Sequence, residues 1–305
     1  MDRQLNKVYI AGCGGMLGLD VYNVFSSKNI EVKATDIDVN ETWLTKGDVR
    51  NFDQISKDIT NFKPDALINL AAHTDLEYCE INTHEADAVN FQGAKNLDII
   101  ARKLDIPYIY ISTAGIFGGE KDYYDDYDVP NPLSVYGKTK YKGEQYVLNS
   151  GGKNYVFRAG WMMGGFGKDK KFIAKIYRQI KRGAESLYVV DDKLGTPTYT
   201  EDFAKSLYLH LLKKTPYGLY NQVCRGSATR YEVAVEFTRL LGTNIKIKEV
   251  KSDYFAQEYF APRPRSEKLL NSKLDNLGVN YMRDWKACLK EYVDHIKVKE
   301  NNGEL

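Results

Sequence analysis

An α/β architecture, a doubly wound parallel sheet with a smaller domain interleaved towards the C-terminal half, is what this sequence predicts on three grounds. Short apolar runs alternate with amphipathic segments through the first half of the chain. A glycine cluster follows the first of these runs directly. The rhythm then breaks near residue 158.

The runs at 8–11, 30–34, 66–70 and 108–111 are short and rich in Ile, Val and Tyr, so each reads as a buried strand. Over 17–26, 52–60 and 86–104 the apolar residues recur every three or four positions, as on a helix with one buried face. Strands separated by helices must be joined by crossovers, which makes the sheet parallel and covers both its faces. A further helix over 136–149 leads to a strand at 155–158. Beyond it come a Gly-rich turn at 160–167, a basic helix over 170–181 that reads as a solvated face, and a turn at 195–198. The expected division is one unit of 1–158 plus about 190–214, a second of 159–189 plus 215–298, and a flexible tail at 299–305.

The 305 residues carry 43 Lys and Arg against 41 Asp and Glu, a net charge of +2. A balance so even provides no overall field for nucleic acid or an anionic membrane, and neither is expected as a partner. Glycines interrupt the first apolar run, and no small-residue cleavage site precedes Asp20, which argues against a secretory signal. The stretch 66–72, broken by Asn69, falls far short of the roughly 20 residues of a membrane span. Cys13, Cys79, Cys224 and Cys288 are scattered without a CxxC pair, as packed, reduced thiols of a cytoplasmic protein would be. The four histidines share no ligand spacing, so no metal is expected.

The glycine cluster runs Gly12-Cys-Gly-Gly15-Met16-Leu17-Gly18, between the first strand and the first helix. Glycine there tolerates positive φ and lets backbone approach a pyrophosphate, while the helix end presents free N–H groups. This context makes the first unit a Rossmann-type dinucleotide-binding domain; the second, smaller unit is expected to be a substrate-binding domain. Asp36, with Asp38, closes the second strand, where a carboxylate accepts hydrogen bonds from the ribose of NAD and repels a 2′-phosphate. NAD(H) is therefore favoured, with NADP(H) left open through Lys33 or Arg50. Asp48-Val49-Arg50 either caps the next helix or approaches the adenine. Ala71, Ala72 and His73 end the third strand, where small residues let a cofactor cross the sheet edge; His73 has a hydrogen-bonded structural role as its plainer reading.

Tyr136-Gly-Lys-Thr-Lys140 sets tyrosine and lysine four apart on one helix face. An ammonium beside a phenol favours its ionised form, which would bring Tyr136 below its usual value of about 10. Ser112-Thr113 ends the fourth strand of the same sheet. Together with the glycine fingerprint, this set resembles the extended short-chain dehydrogenase/reductase superfamily. The resemblance implies that Thr113 hydrogen-bonds the substrate oxygen, that Tyr136 exchanges the proton, and that Lys140 holds the nicotinamide ribose.

Within that superfamily the chain is similar to the dTDP-4-dehydrorhamnose reductases through 71–74, Asn90, 112–117, 132–140, Gly143-Glu144, 157–161, 195–198 and 263–269. That likeness implies a sugar pocket lined by Trp161 and Thr74, with Arg263 and Arg265 as candidate partners of a diphosphate. Ala114 and Gly115 stand where those reductases place an acid and a tyrosine, and Glu267 stands where a serine is usual. The absence of an Asp-Glu pair after Thr113 also argues against the related dehydratases. The implied activity is reduction of the 4-keto group of a nucleotide-linked 6-deoxyhexose, with a nucleotide sugar as partner and a bacterial-type cell-surface polysaccharide route as context. A nucleotide-sugar epimerase with retained NAD would use the same residues. A non-catalytic dinucleotide-binding regulatory subunit, as in methionine adenosyltransferase, would keep the fold. Oligomeric state is left open, a homodimer included.

Overall fold

A computed structural model describes residues 5–304. Seven strands form one parallel sheet in the order Gly218–Asn221, Asn154–Ala159, Tyr108–Thr113, Ala66–Asn69, Lys7–Ala11, Glu31–Asp36, Leu44–Lys46. The winding reverses between Lys7–Ala11 and Ala66–Asn69, so the carboxyl ends of these two strands flank the crevice where ligands bind in such sheets. Alternate residues of one strand feed two cores. Val8 and Ile10 pack with Val21, Phe25 and Phe203, whereas Tyr9 and Ala11 pack with Ile55, Leu97 and Tyr110. Burial on both faces is why these strands read as continuous apolar runs.

The expected strands and helices of the first half are present; the short helix Leu76–Ile81 is added to them, and two further differences stand out. Leu44–Lys46 adds an edge strand whose side chains are mostly exposed and carry no apolar pattern. The helix expected over 86–104 is three pieces: Thr83–Asp87, a π-helical turn Ala88–Gly93, and Ala94–Leu104. Such widened turns are frequent at functional sites, and this one buries Asn90.

The expected domain boundaries need correction in three places. Gly218–Asn221, assigned to the smaller domain within 215–298, pairs with Asn154–Ala159 as the outer strand of the main sheet. Its half-exposed GLYN sequence has no strand signature. Leu194–Gly195, assigned to the sheet domain within 190–214, instead joins a four-stranded sheet with Ala228–Thr229, Ser266–Leu269 and Tyr123–Tyr124. The final helix, Trp285–Asn301, continues into the tail expected from 299, because Glu300 pairs with Lys181 and accepts a hydrogen bond from Tyr177. Leu305 lies outside the described residues.

The smaller domain also contains the helices Phe172–Lys181 and Arg230–Leu241 and the paired strands Ser186–Val190 and Lys246–Val250. All four cysteines are buried thiols, and the sulfurs of Cys224 and Cys288 lie 3.7 Å apart. Among the described residues no helix is long and apolar enough to cross a membrane.

Candidate active site

At the switch point Gly12 has φ +76°, and a methyl group there would lie 2.2 Å from the Ala71 backbone nitrogen. Two strand ends therefore meet backbone to backbone. A side chain on Gly18 would strike the Cys13 carbonyl at 1.8 Å, whereas Gly15 has open space around its α-carbon on the cleft. That opening lets an anion reach the loop and the helix end. Met16, Leu17, Ala71, Ala72 and His73 line the same cleft, whose volume of about 1720 Å³ exceeds the roughly 300–1,000 Å³ of ordinary small-molecule pockets.

The Asp36 carboxylate accepts hydrogen bonds from Gly14 N at 2.8 Å and Asp38 N at 3.0 Å, which holds it at the end of the fingerprint loop. Lys33 turns away to Asp58, and Arg50 forks onto Asp48 at 2.8 Å and reaches Glu85 at 3.4 Å. Arg50 in turn holds the Asp48 carboxyl below its ordinary value. Asp48 is not the helix cap. That role falls to Asn51, which accepts from Gln54 N at 3.1 Å, while Asp48 and Val49 line the cleft. The His73 backbone is held by Asn90, and its ring stacks on Tyr78 with centroids 5.1 Å apart.

Thr113 ends its strand, and its Oγ1 accepts from Gly115 N at 3.1 Å. Ser134 caps the helix Val135–Asn149 by accepting from Gly137 N at 3.1 Å, so Tyr136 and Lys140 rise from its first turns on one face. Gly137 permits this approach: a methyl there would lie 2.4 Å from the Gly115 carbonyl oxygen. Burial pushes the Tyr136 phenol up to about 12, against the opposing hydrogen bond from Thr113. Burial also holds Lys140 down to about 7, partly offset by Glu144, and its ammonium sits 4.1 Å above the Tyr110 ring. The expected lowering of Tyr136 by Lys140 is not seen: desolvation dominates, and the opposing effect comes from Thr113. The phenol stays protonated at neutral pH, the state a proton donor needs.

Two buried groups fix this helix. Asn90 accepts from His73 N at 2.9 Å and donates to Thr139 Oγ1 at 3.1 Å, tying the sheet-edge loop to the helix. Glu144 pairs with Arg158 at 2.6 Å with both side chains almost fully buried.

The facing wall is charged. Trp161 donates from Nε1 to Glu267 Oε2 at 2.7 Å, and the Arg230 guanidinium lies 3.6 Å over its ring, with burial lowering Arg230 to about 10. The basic helix is not simply a solvated face, because Lys171, Lys175 and Arg178 line the cleft. Lys171 also donates to Thr74 Oγ1 at 2.9 Å. Arg263 already forks onto Glu77 at 2.7 and 2.9 Å, which clamps the two domains and meets its charge. Arg265 is exposed and lines a separate recess with Asp191 and Lys251.

Residues 6–298 match the family described as the RmlD substrate binding domain. The chain belongs to that family. A dTDP-4-keto-6-deoxy-D-glucose reductase of Streptomyces niveus is 30% identical over 96% of this chain and 98% of its own. The solved dTDP-4-dehydrorhamnose reductase of Clostridium acetobutylicum superimposes with a TM-score of 0.86 at 33% identity, over 95% of this chain and 99% of that one. That of Bacillus anthracis, solved in complex with NADP, gives 0.87 at 25% identity over 96% and 100%.

Among the cleft residues of this RmlD-family chain, sequence reading left Arg230, Lys175 and Arg178 without a role. Thr229 and Glu232 form a capping box that marks Arg230 as the start of a helix. Nothing local says that this helix end faces the cleft.

Proposed function

We propose that this protein reduces the 4-keto group of a nucleoside-diphosphate 6-deoxy-4-ketohexose, dTDP-linked by analogy with its relatives, using a reduced nicotinamide dinucleotide in the cytoplasm. The observation that carries the reading is the convergence of Thr113, a protonated Tyr136 and Lys140 beside the glycine fingerprint, opposite a cationic wall. The residues fit a dinucleotide: Gly12 and Gly18 tolerate no side chain, Gly15 lies open, and Asp36 stands at the second strand's end.

When bound, the nicotinamide supplies the hydride; the chain supplies the rest. Thr113 and Tyr136 polarise the ketone as charge develops on its oxygen, and Tyr136 delivers the proton. Lys140 holds the ribose hydroxyls. Trp161 and Thr74 flank the sugar. Arg230, Lys171, Lys175 and Arg178 supply positive charge for the diphosphate, the role first assigned to Arg263. NADH is favoured over NADPH because the Asp36 carboxylate, held at the end of the fingerprint loop, would repel a 2′-phosphate, and Lys33, Arg50 and Lys168 are already paired. Every residue named comes from one chain, so the reading holds for a monomer or a homodimer, which sedimentation velocity distinguishes.

Purified protein mixed with NADH or NADPH and dTDP-linked 4-keto-6-deoxy sugars is expected to oxidise one equivalent of cofactor per sugar reduced, faster with NADH. Interconversion of sugar epimers with tightly retained cofactor and no net oxidation would instead identify an epimerase. Cofactor binding with no turnover of any sugar would favour the regulatory subunit.

A further inference from the structure

The two departures from the family pattern meet in space. A methyl built on Gly115 would lie 3.3 Å from Glu267 Oε1, 3.5 Å from Thr113 Oγ1 and 3.7 Å from Tyr136 Cε1. Gly115 therefore clears a space bounded by the two groups that take the ketone oxygen. Glu267 enters that space from the strand Ser266–Leu269 of the other domain. Its Oε2 is anchored by Trp161 Nε1 at 2.7 Å, and the Trp161 ring is itself held under Arg230. The second oxygen, Oε1, is thereby left on the side of Gly115. A bulkier residue at 115 would crowd the carboxylate, so the small residue and the acid are complementary halves of one exchange.

We infer that Glu267 is a specificity-determining residue that accepts a hydrogen bond from the hydroxyl on the sugar carbon next to the ketone. This rests on the reductase reading above. A carboxylate aimed at substrate seeks a donor, and the ketone oxygen already belongs to Thr113 and Tyr136. In a 4-keto-6-deoxyhexose one ring carbon beside the ketone bears the methyl group and the other bears the 3-hydroxyl. The 3-hydroxyl is thus the donor within reach. A site built around a substrate hydroxyl rejects the analogue that lacks it far more strongly than an apolar pocket would.

The test compares kcat/KM for a dTDP-linked 4-keto-6-deoxyhexose and its 3-deoxy analogue in wild type and Glu267→Gln. Glutamine keeps the size and can still accept from Trp161, which turns its NH2 group, a donor, towards the substrate. The 3-hydroxy substrate is expected to lose roughly 10- to 100-fold in the variant, as for a lost hydrogen bond to a charged group. The 3-deoxy analogue should change little. NADH titration by fluorescence, unchanged in the variant, excludes a folding defect. Equal losses on both sugars would overturn the inference. If the wild type reduces neither sugar, the reductase reading fails on its own. The same differential is then read from dissociation constants of the two corresponding 4-hydroxy sugars, and an equal effect on both overturns the Glu267 assignment.

Discussion

On the sheet side of the cleft, backbone meets backbone: Gly12 lies against Ala71, Gly18 against Cys13, and Asp36 is bonded to the fingerprint loop itself. On the facing side, long side chains from separated segments, Lys171, Lys175, Arg230 and Glu267, meet across open space. The first wall is close-packed and preformed. The second is held by side-chain ion pairs and ring contacts, such as Arg263 with Glu77 and Arg230 over Trp161. Rigid elements position chemistry more tightly than mobile charged side chains do, so the largest effects should fall on the buried groups of the sheet side and the smallest on the exposed cations of the facing wall.

Tyr136→Phe should have the largest effect, a fall in kcat of roughly 10²–10⁴-fold with NADH binding preserved by fluorescence titration. Loss of binding in step with kcat would mean that Tyr136 shapes the wall and does not act on the substrate. Glu144→Ala, which leaves Arg158 buried without its partner, should cost about 3–5 kcal/mol in urea unfolding. A cost near zero would show that the sheet side does not depend on that buried pair.

Lys140 sharpens the contrast through pH. Its folded value of about 7 lies below the usual lysine value, so between the two the unfolded chain binds more protons than the folded one. Stability of the cofactor-free protein should therefore rise from about pH 7 towards pH 10 and be flat in this respect below pH 7. Lys140→Met should abolish that rise, on the order of 3–4 kcal/mol by thermal or urea melts across pH.

Asp36→Ala should shift the ratio of kcat/KM for NADH over NADPH by roughly tenfold, about 1.4 kcal/mol, towards NADPH. An unchanged ratio would move the source of cofactor preference off this carboxylate. Lys175→Ala, on the facing wall, should raise KM for the nucleotide sugar only a few-fold at unchanged kcat, as expected of an exposed cation. An effect as large as that of Tyr136→Phe would erase the distinction between the walls.

What the sequence determined by itself is everything whose geometry closes within a few residues. The strand–glycine–helix unit at 7–26 and the Tyr136/Lys140 spacing are local, because a turn and a helix face are set by neighbouring residues. The buried central strands were equally legible, since burial on both faces leaves an unbroken apolar run. Only the tertiary structure decided that the edge strand Gly218–Asn221 closes the sheet, that Arg263 is paired with Glu77, and that burial raises Tyr136 instead of Lys140 lowering it. It also decided that Glu267 stands beside Gly115. These outcomes depend on contacts and desolvation between segments far apart in the chain, which no periodicity along the sequence records.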